Sequence, residues 1–118
     1  MLLVIVNTVF MMEDVSNDYG FEHIYSRMVE AKANKEDVLI AMSTSGNSKN
    51  IIKAIKKANQ MGLHTIGLGS ELKGEMATLC QTFICVPSKN TARIQEMHLF
   101  IGHTICQIVE AHFHNNKK

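Results

Sequence analysis

Three short apolar runs, Leu2 to Val6, Val38 to Met42 and Leu63 to Leu68, are rich in β-branched residues, and each gives way to a polar loop. A fourth, Thr82 to Val86, ends at Pro87, the single proline of the chain. Near-continuous apolar runs of this length suit strands buried on both faces of a parallel sheet, where no wet side demands alternation. Parallel strands need crossovers, and the intervening stretches supply apolar residues three and four apart. Phe21 to Ala31 places Phe21, Ile24, Tyr25, Met28 and Val29 at that spacing. From Asn47 to about Gln60, Ile51, Ile52, Ile55 and Ala58 share a face, and Gly62 is placed to stop the helix. A short helix is expected over Glu71 to Cys80, with Glu71 and Glu75 near its start. The last helix, from about Thr91 to His112, carries an apolar stripe of Ile94, Met97, Ile101, Ile105 and Ile108. The alternation predicts a three-layer α/β fold, a flavodoxin-like parallel sheet with helices on both faces.

The chain has 118 residues, enough for one core and too few for two ordinary domains, so a single domain over 1–118 is expected. Neither repeats nor linkers interrupt it, and the polar tail Asn115 to Lys118 is expected to fray. No stretch reaches the roughly 18 to 20 apolar residues of a membrane helix. Met1 to Met12 is interrupted by Asn7 and Thr8 and lacks the basic start and small-residue cleavage site of a secretory signal, so a strand is the better reading. Twelve basic and eleven acidic residues give a net charge of +1, which leaves no long-range field to gather nucleic acid or anionic lipid. Lys49, Lys53, Lys56 and Lys57 form the one basic cluster, at a spacing that fits the solvated face of a helix. Cys80, Cys85 and Cys106 are odd in number and show no CxxC spacing, which argues against a disulfide scaffold or a zinc knot. Each reads as a small buried hydrophobe in a reducing, cytoplasmic compartment.

Directly after the Val38–Met42 run come Ser43, Thr44, Ser45, Gly46, Asn47 and Ser48. Four hydroxyls crowd around a glycine where a strand runs into a helix. A helix start offers unpaired N–H groups and the positive end of its dipole, and glycine permits a tight turn or close approach, so this is an anion site in the making. Ligands of open parallel sheets sit beyond the carboxyl ends of the strands, where this loop falls. The plainer alternative is that Ser45 or Ser48 merely caps the helix. The GxxxxGK[ST] pattern of nucleotide loops is not present.

Four separated motifs occur in order: Asn17-Asp18-Tyr19-Gly20-Phe21, the 43–48 loop, Val86-Pro87-Ser88, and Thr91-Ala92-Arg93-Ile94-Gln95-Glu96-Met97-His98. From Asn17 to about Glu110 the chain resembles the phosphoheptose isomerases of the sugar isomerase (SIS) domain family. The resemblance implies an aldose–ketose isomerase interconverting sedoheptulose 7-phosphate and glycero-manno-heptose 7-phosphate, for the ADP-heptose of lipopolysaccharide or related surface glycans. It implies that Ser43, Thr44, Ser45 and Ser48 hold the sugar phosphate and that Asn17 and Asp18 contact the sugar. Gln95 would touch substrate and a zinc ion, and His103 would be both metal ligand and catalytic imidazole. It also implies a homo-oligomer, a dimer or tetramer, with active sites between chains.

Histidine suits an enediol reaction because it titrates near neutrality. Gly102 beside His103 would leave room for a substrate or a neighbouring chain against the helix. Gln95 and His103 are eight apart, about 12 Å along a helix and about 80° around it. His98 is read as a packing or supporting residue, and Glu96 as a salt-bridge or capping residue. The chain departs from the family by lacking the amino-terminal segment that carries a histidine and a glutamate of the zinc site, so it is expected to be truncated. Lys73 stands where the family has a glycine, and Gln81 where it has an aspartate. With the second acid/base missing, the alternative is a non-catalytic sugar-phosphate-binding or regulatory SIS module.

Overall fold

The computed structural model describes residues 3–7 and 24–116. Four strands, β1 (Leu3–Asn7), β2 (Val38–Met42), β3 (His64–Ser70) and β4 (Thr82–Val86), form one parallel sheet in the order β1-β2-β3-β4. The register sets Ile5 beside Ile40, Ile40 beside Ile66, and Leu68 beside Ile84. Helix α1 (Ile24–Lys32) joins β1 to β2, α2 (Lys49–Met61) joins β2 to β3, the single turn α3 (Met76–Leu79) joins β3 to β4, and α4 (Thr91–Asn116) follows β4.

Strands laid down in chain order with right-handed crossovers collect those crossovers on one face of the sheet. The core shows this. Leu39 and Ala41 point to the face where Val29 of α1, Ile51, Ile52, Ala54, Ile55 and Ala58 of α2, and Met76 of α3 are buried together. Alternate residues Ile40 and Met42 point to the other face, with Leu68, and meet Ile101 and Ile105 of α4. Helices therefore cover both faces in three layers. Ile51 and Ile55 are fully buried, and each contributes about 1.5–3 kcal/mol relative to exposure. Gly62 ends α2 in the left-handed conformation at φ 85°, its N–H donating to the Ala58 and Asn59 carbonyls.

The α4 face is the thinner side. One helix is about 10 Å across while four strands spaced about 4.8 Å span more than that, so Val38, Ile66 and Ile84 remain half-buried beside it. The expected stripe on α4 divides accordingly. Ile94 is buried and Ile101 and Ile105 are half-buried, whereas Met97 and Ile108 are exposed, together with Leu99 and Phe100.

Several expectations need correction. The helix expected over Glu71 to Cys80 shrinks to Met76–Leu79, because Lys73 and Gly74 both take positive φ and break the backbone before it. α4 extends to Asn116, and Lys117 and Lys118 of the expected tail lie outside the described residues. β4 is half exposed, since it borders only β3 among the described strands. Cys85 on that strand is exposed and Cys106 only partly covered. Cys80 alone is buried, and burial pushes its thiol up to about 11, which keeps it unreactive at neutral pH. Phe21 falls outside the described residues.

Candidate functional site

The hydroxyl loop sits where expected, between the last residue of β2 and the first turn of α2. The Ser43 N–H carries the sheet ladder one step further, donating to the Leu68 carbonyl at 3.0 Å. This draws the Ser43 side chain inside, where it is 1% exposed. Its hydroxyl accepts the Gly46 N–H at 3.1 Å and lies 3.1 Å from the Ser48 hydroxyl. The Ser45 hydroxyl is exposed and accepts the Asn47 N–H at 3.1 Å. Gly46 is left-handed at φ 73°, which an L side chain tolerates poorly.

Ser48 occupies the N-cap position of α2 with extended backbone angles, yet its side chain makes no capping hydrogen bond. It turns to Ser43 instead. A capping serine normally accepts an N–H of the first helical turn, so the plainer alternative fails for Ser48, and Ser45 caps the Asn47 N–H inside the loop rather than the helix. Ser43 and Ser48 thus place two hydroxyls side by side at the positive end of a 13-residue helix, the geometry that receives an anion. Among the lysines of α2, Lys56 pairs with Glu75 at 3.3 Å and Lys57 with Glu30 at 3.5 Å.

Sequence reasoning missed a second element. The turn after β3 grips the loop from below. The Ser70 hydroxyl donates to the Thr44 carbonyl at 2.7 Å, the Glu75 N–H to Asn47 Oδ1 at 2.9 Å, and the Met76 N–H to the Gly46 carbonyl at 3.0 Å. Gly46 and Gly74 lie backbone to backbone, so that a Cβ on Gly46 would stand 2.0 Å from the Lys73 carbonyl oxygen. The available signal was the Lys73-Gly74 pair, read in sequence as a departure from a glycine pattern. Lys73 does take a glycine-like φ of 60°.

Gln95 and His103 both lie on α4, Gln95 partly covered and His103 exposed. His98 is buried, its Nε2 2.9 Å from the Gly69 carbonyl, which fixes the first half of α4 against the end of β3. Burial lowers the pKa of its imidazole against the opposing pull of that carbonyl, so it stays neutral and structural. Five residues on, His103 is rotated by about 140° and faces away from the sheet. Gly102 leaves no room for a ligand. A Cβ there would lie 2.6 Å from Met42 Cε, so its small size serves contact between α4 and the sheet. Glu96 pairs with Arg93 at 2.9 Å. Asn17 and Asp18 lie outside the described residues. Among the described residues no three His, Cys, Asp or Glu side chains gather as a metal site. Gln95 and His103 alone do not complete a zinc ligand set.

A parallel α/β domain with a hydroxyl-rich strand-to-helix loop is the class these features define. The chain belongs to the SIS domain family, whose model matches residues 3–70. It is 50% identical over 103 residues to a phosphoheptose isomerase of Helicobacter pylori, covering 86% of this chain and 54% of that protein. A phosphoheptose isomerase of Campylobacter jejuni is likewise 50% identical over 99 residues, covering 84% and 53%. The chain therefore spans about half the length of the curated relatives it matches. Among solved structures it is similar to a phosphoheptose isomerase from Francisella tularensis, with a TM-score of 0.77 at 26% identity over 92% of this chain and 75% of the other. The corresponding protein from Neisseria gonorrhoeae gives 0.72 at 39% identity, over 81% and 55%. No helix among the described residues is long and apolar enough to cross a membrane.

Proposed function

We propose that this chain carries the phosphate-binding part of a phosphoheptose isomerase, acting on sedoheptulose 7-phosphate to give glycero-manno-heptose 7-phosphate. The observation that carries the reading is the Ser43–Ser48 hydroxyl pair, 3.1 Å apart at the head of α2 and not used as a cap. The 50% identity to phosphoheptose isomerases supports the substrate class. In this reading Ser43, Thr44, Ser45 and Ser48 hold the phosphate, and Asn17, Asp18 and Gln95 hold the sugar.

The reaction moves a carbonyl from C2 to C1. A base removes a proton from C1, electrons shift to form the enediol, and an acid returns a proton to C2 while the hydroxyl proton passes from O1 to O2. His103 is the group in this chain suited to one of these transfers. Its exposed ring fits an active site completed by a second chain, which supports a homo-oligomer, a dimer or tetramer. The exposed Met97, Phe100 and Ile108 on the same helix give such an interface apolar area. A zinc ion on Gln95 and His103 requires at least one more ligand from outside the described residues. The pathway is ADP-heptose synthesis for lipopolysaccharide or a related glycan, in the cytoplasm.

The test is to incubate the purified chain with sedoheptulose 7-phosphate and zinc and follow the aldose product, with the Helicobacter pylori enzyme as the positive control. Turnover supports the isomerase. Binding of the sugar phosphate without turnover points to the non-catalytic module, and absence of both overturns the reading.

A further inference from the structure

We propose that the turn from Ser70 to Met76 is a clamp that sets the shape of the 43–48 loop, with Ser70 and Asn47 as its positioning residues. This rests on the reading of that loop as the phosphate site.

Ser70 is fully buried, and its hydroxyl is used twice. It donates to the Thr44 carbonyl at 2.7 Å and accepts the Leu72 N–H at 3.2 Å, tying the loop to the turn through one oxygen. Across a trans peptide the N–H points opposite to the C=O. With the Thr44 carbonyl held toward Ser70, the Ser45 N–H is directed away from the turn. The Gly46 carbonyl, held by the Met76 N–H at 3.0 Å, directs the Asn47 N–H the same way, and that group meets the Ser45 hydroxyl. Asn47 closes the far end, its Oδ1 accepting the Glu75 N–H at 2.9 Å.

The contact between Gly46 and Gly74 holds the two backbones closer than any side chain at either position would allow. The Thr44 and Gly46 carbonyls are thus fastened to the turn, and the Ser45 and Asn47 N–H groups opposite them are directed to the other side. An anion loop works by preorganised donors, because reorienting them on binding costs affinity. In the folded protein Ser70 and Asn47 act on affinity through donor direction, without touching the ligand.

The experiment titrates inorganic phosphate into wild type, Ser70→Ala, Asn47→Ala and Ser43→Ala, following amide resonances of the loop and recording thermal midpoints. Ser70→Ala and Asn47→Ala are each expected to weaken phosphate by about three- to tenfold and to shift the free-state amides of Thr44 to Asn47. A merely structural role would lower the midpoint while leaving affinity and those amides as in wild type, and that result overturns the clamp. Asn47 is exposed, so Asn47→Ala carries the test should Ser70→Ala not fold. If Ser43→Ala alone loses affinity, the loop reading stands and the clamp falls. If phosphate moves no loop amide in wild type, the loop reading falls and the clamp with it.

Discussion

Replacing Gly46 by alanine should be among the most damaging single-methyl changes available to this fold. Two costs combine. At φ 73° alanine enters the left-handed region, which costs about 1–2 kcal/mol. Its Cβ would also sit 2.0 Å from the Lys73 carbonyl oxygen and 2.8 Å from its carbon, both backbone atoms that cannot rotate aside. The turn must retreat, and its retreat strains or breaks the Met76 N–H bond to the Gly46 carbonyl and the Glu75 N–H bond to Asn47. At about 0.5–1.5 kcal/mol each, the total reaches about 2–5 kcal/mol. Gly62→Ala is the control. It too is left-handed, at φ 85°, but its nearest neighbour is Lys35 Cγ at 3.2 Å on a flexible side chain, so only the conformational cost of about 1–2 kcal/mol applies. Urea denaturation of both variants at equal m-value measures the difference. If Gly46→Ala proves no more destabilising than Gly62→Ala, the account of the loop and turn as closely fitted backbones is wrong.

Lys73→Gly should stabilise the chain by up to about 1 kcal/mol, because relief of left-handed strain at φ 60° is partly offset by a freer unfolded chain. A thermal midpoint lowered by the change would show that the lysine side chain does something else. His98 supplies a pH dependence. Its folded pKa lies below the ordinary 6.5, so on acidification the unfolded chain takes the proton first. Its stabilising contribution is present above about pH 6.5, declines as pH falls through that value toward the folded pKa, and is absent from His98→Gln. Equal slopes of urea midpoint against pH for the two proteins would contradict this. In solution at tens of micromolar, sedimentation should give at least a dimer, and Phe100→Glu should shift it toward monomer; a monomeric wild type would refute the oligomer.

The strands were legible because apolar runs with polar ends leave little freedom: β2 and β4 have the expected bounds, and β3 runs only two residues past Leu68. The place of the hydroxyl loop was legible for a similar reason, since its six residues directly follow the β2 run and lead into the apolar periodicity of α2. What escaped was tertiary. Neither periodicity nor composition marks Ser70 as a support for Thr44, because the two are 26 residues apart and meet only when β2 and β3 pair. The helix expected over Glu71 to Cys80 failed because its propensity was overruled by the fit of Gly46 against Gly74. Gly102 was read as an opening when it is a contact, because the sequence does not say that Met42 fills the space. His103 kept its helical position, yet its direction depends on which side of α4 meets the sheet, and His98 and Ile101 decide that.

The central claim is that the 43–48 loop holds the phosphate of a sugar phosphate, and calorimetric titration of sedoheptulose 7-phosphate against unphosphorylated sedoheptulose tests it most directly. Wild type should bind the phosphorylated sugar and show little affinity for the other. Ser43→Ala removes a buried hydroxyl and should cost about 1–3 kcal/mol of that binding. Ser88→Ala should change little, since the Ser88 hydroxyl accepts the Asn90 N–H in a separate turn before α4. Equal affinity for the two sugars, or equal affinities of wild type, Ser43→Ala and Ser88→Ala for the phosphorylated one, would contradict it.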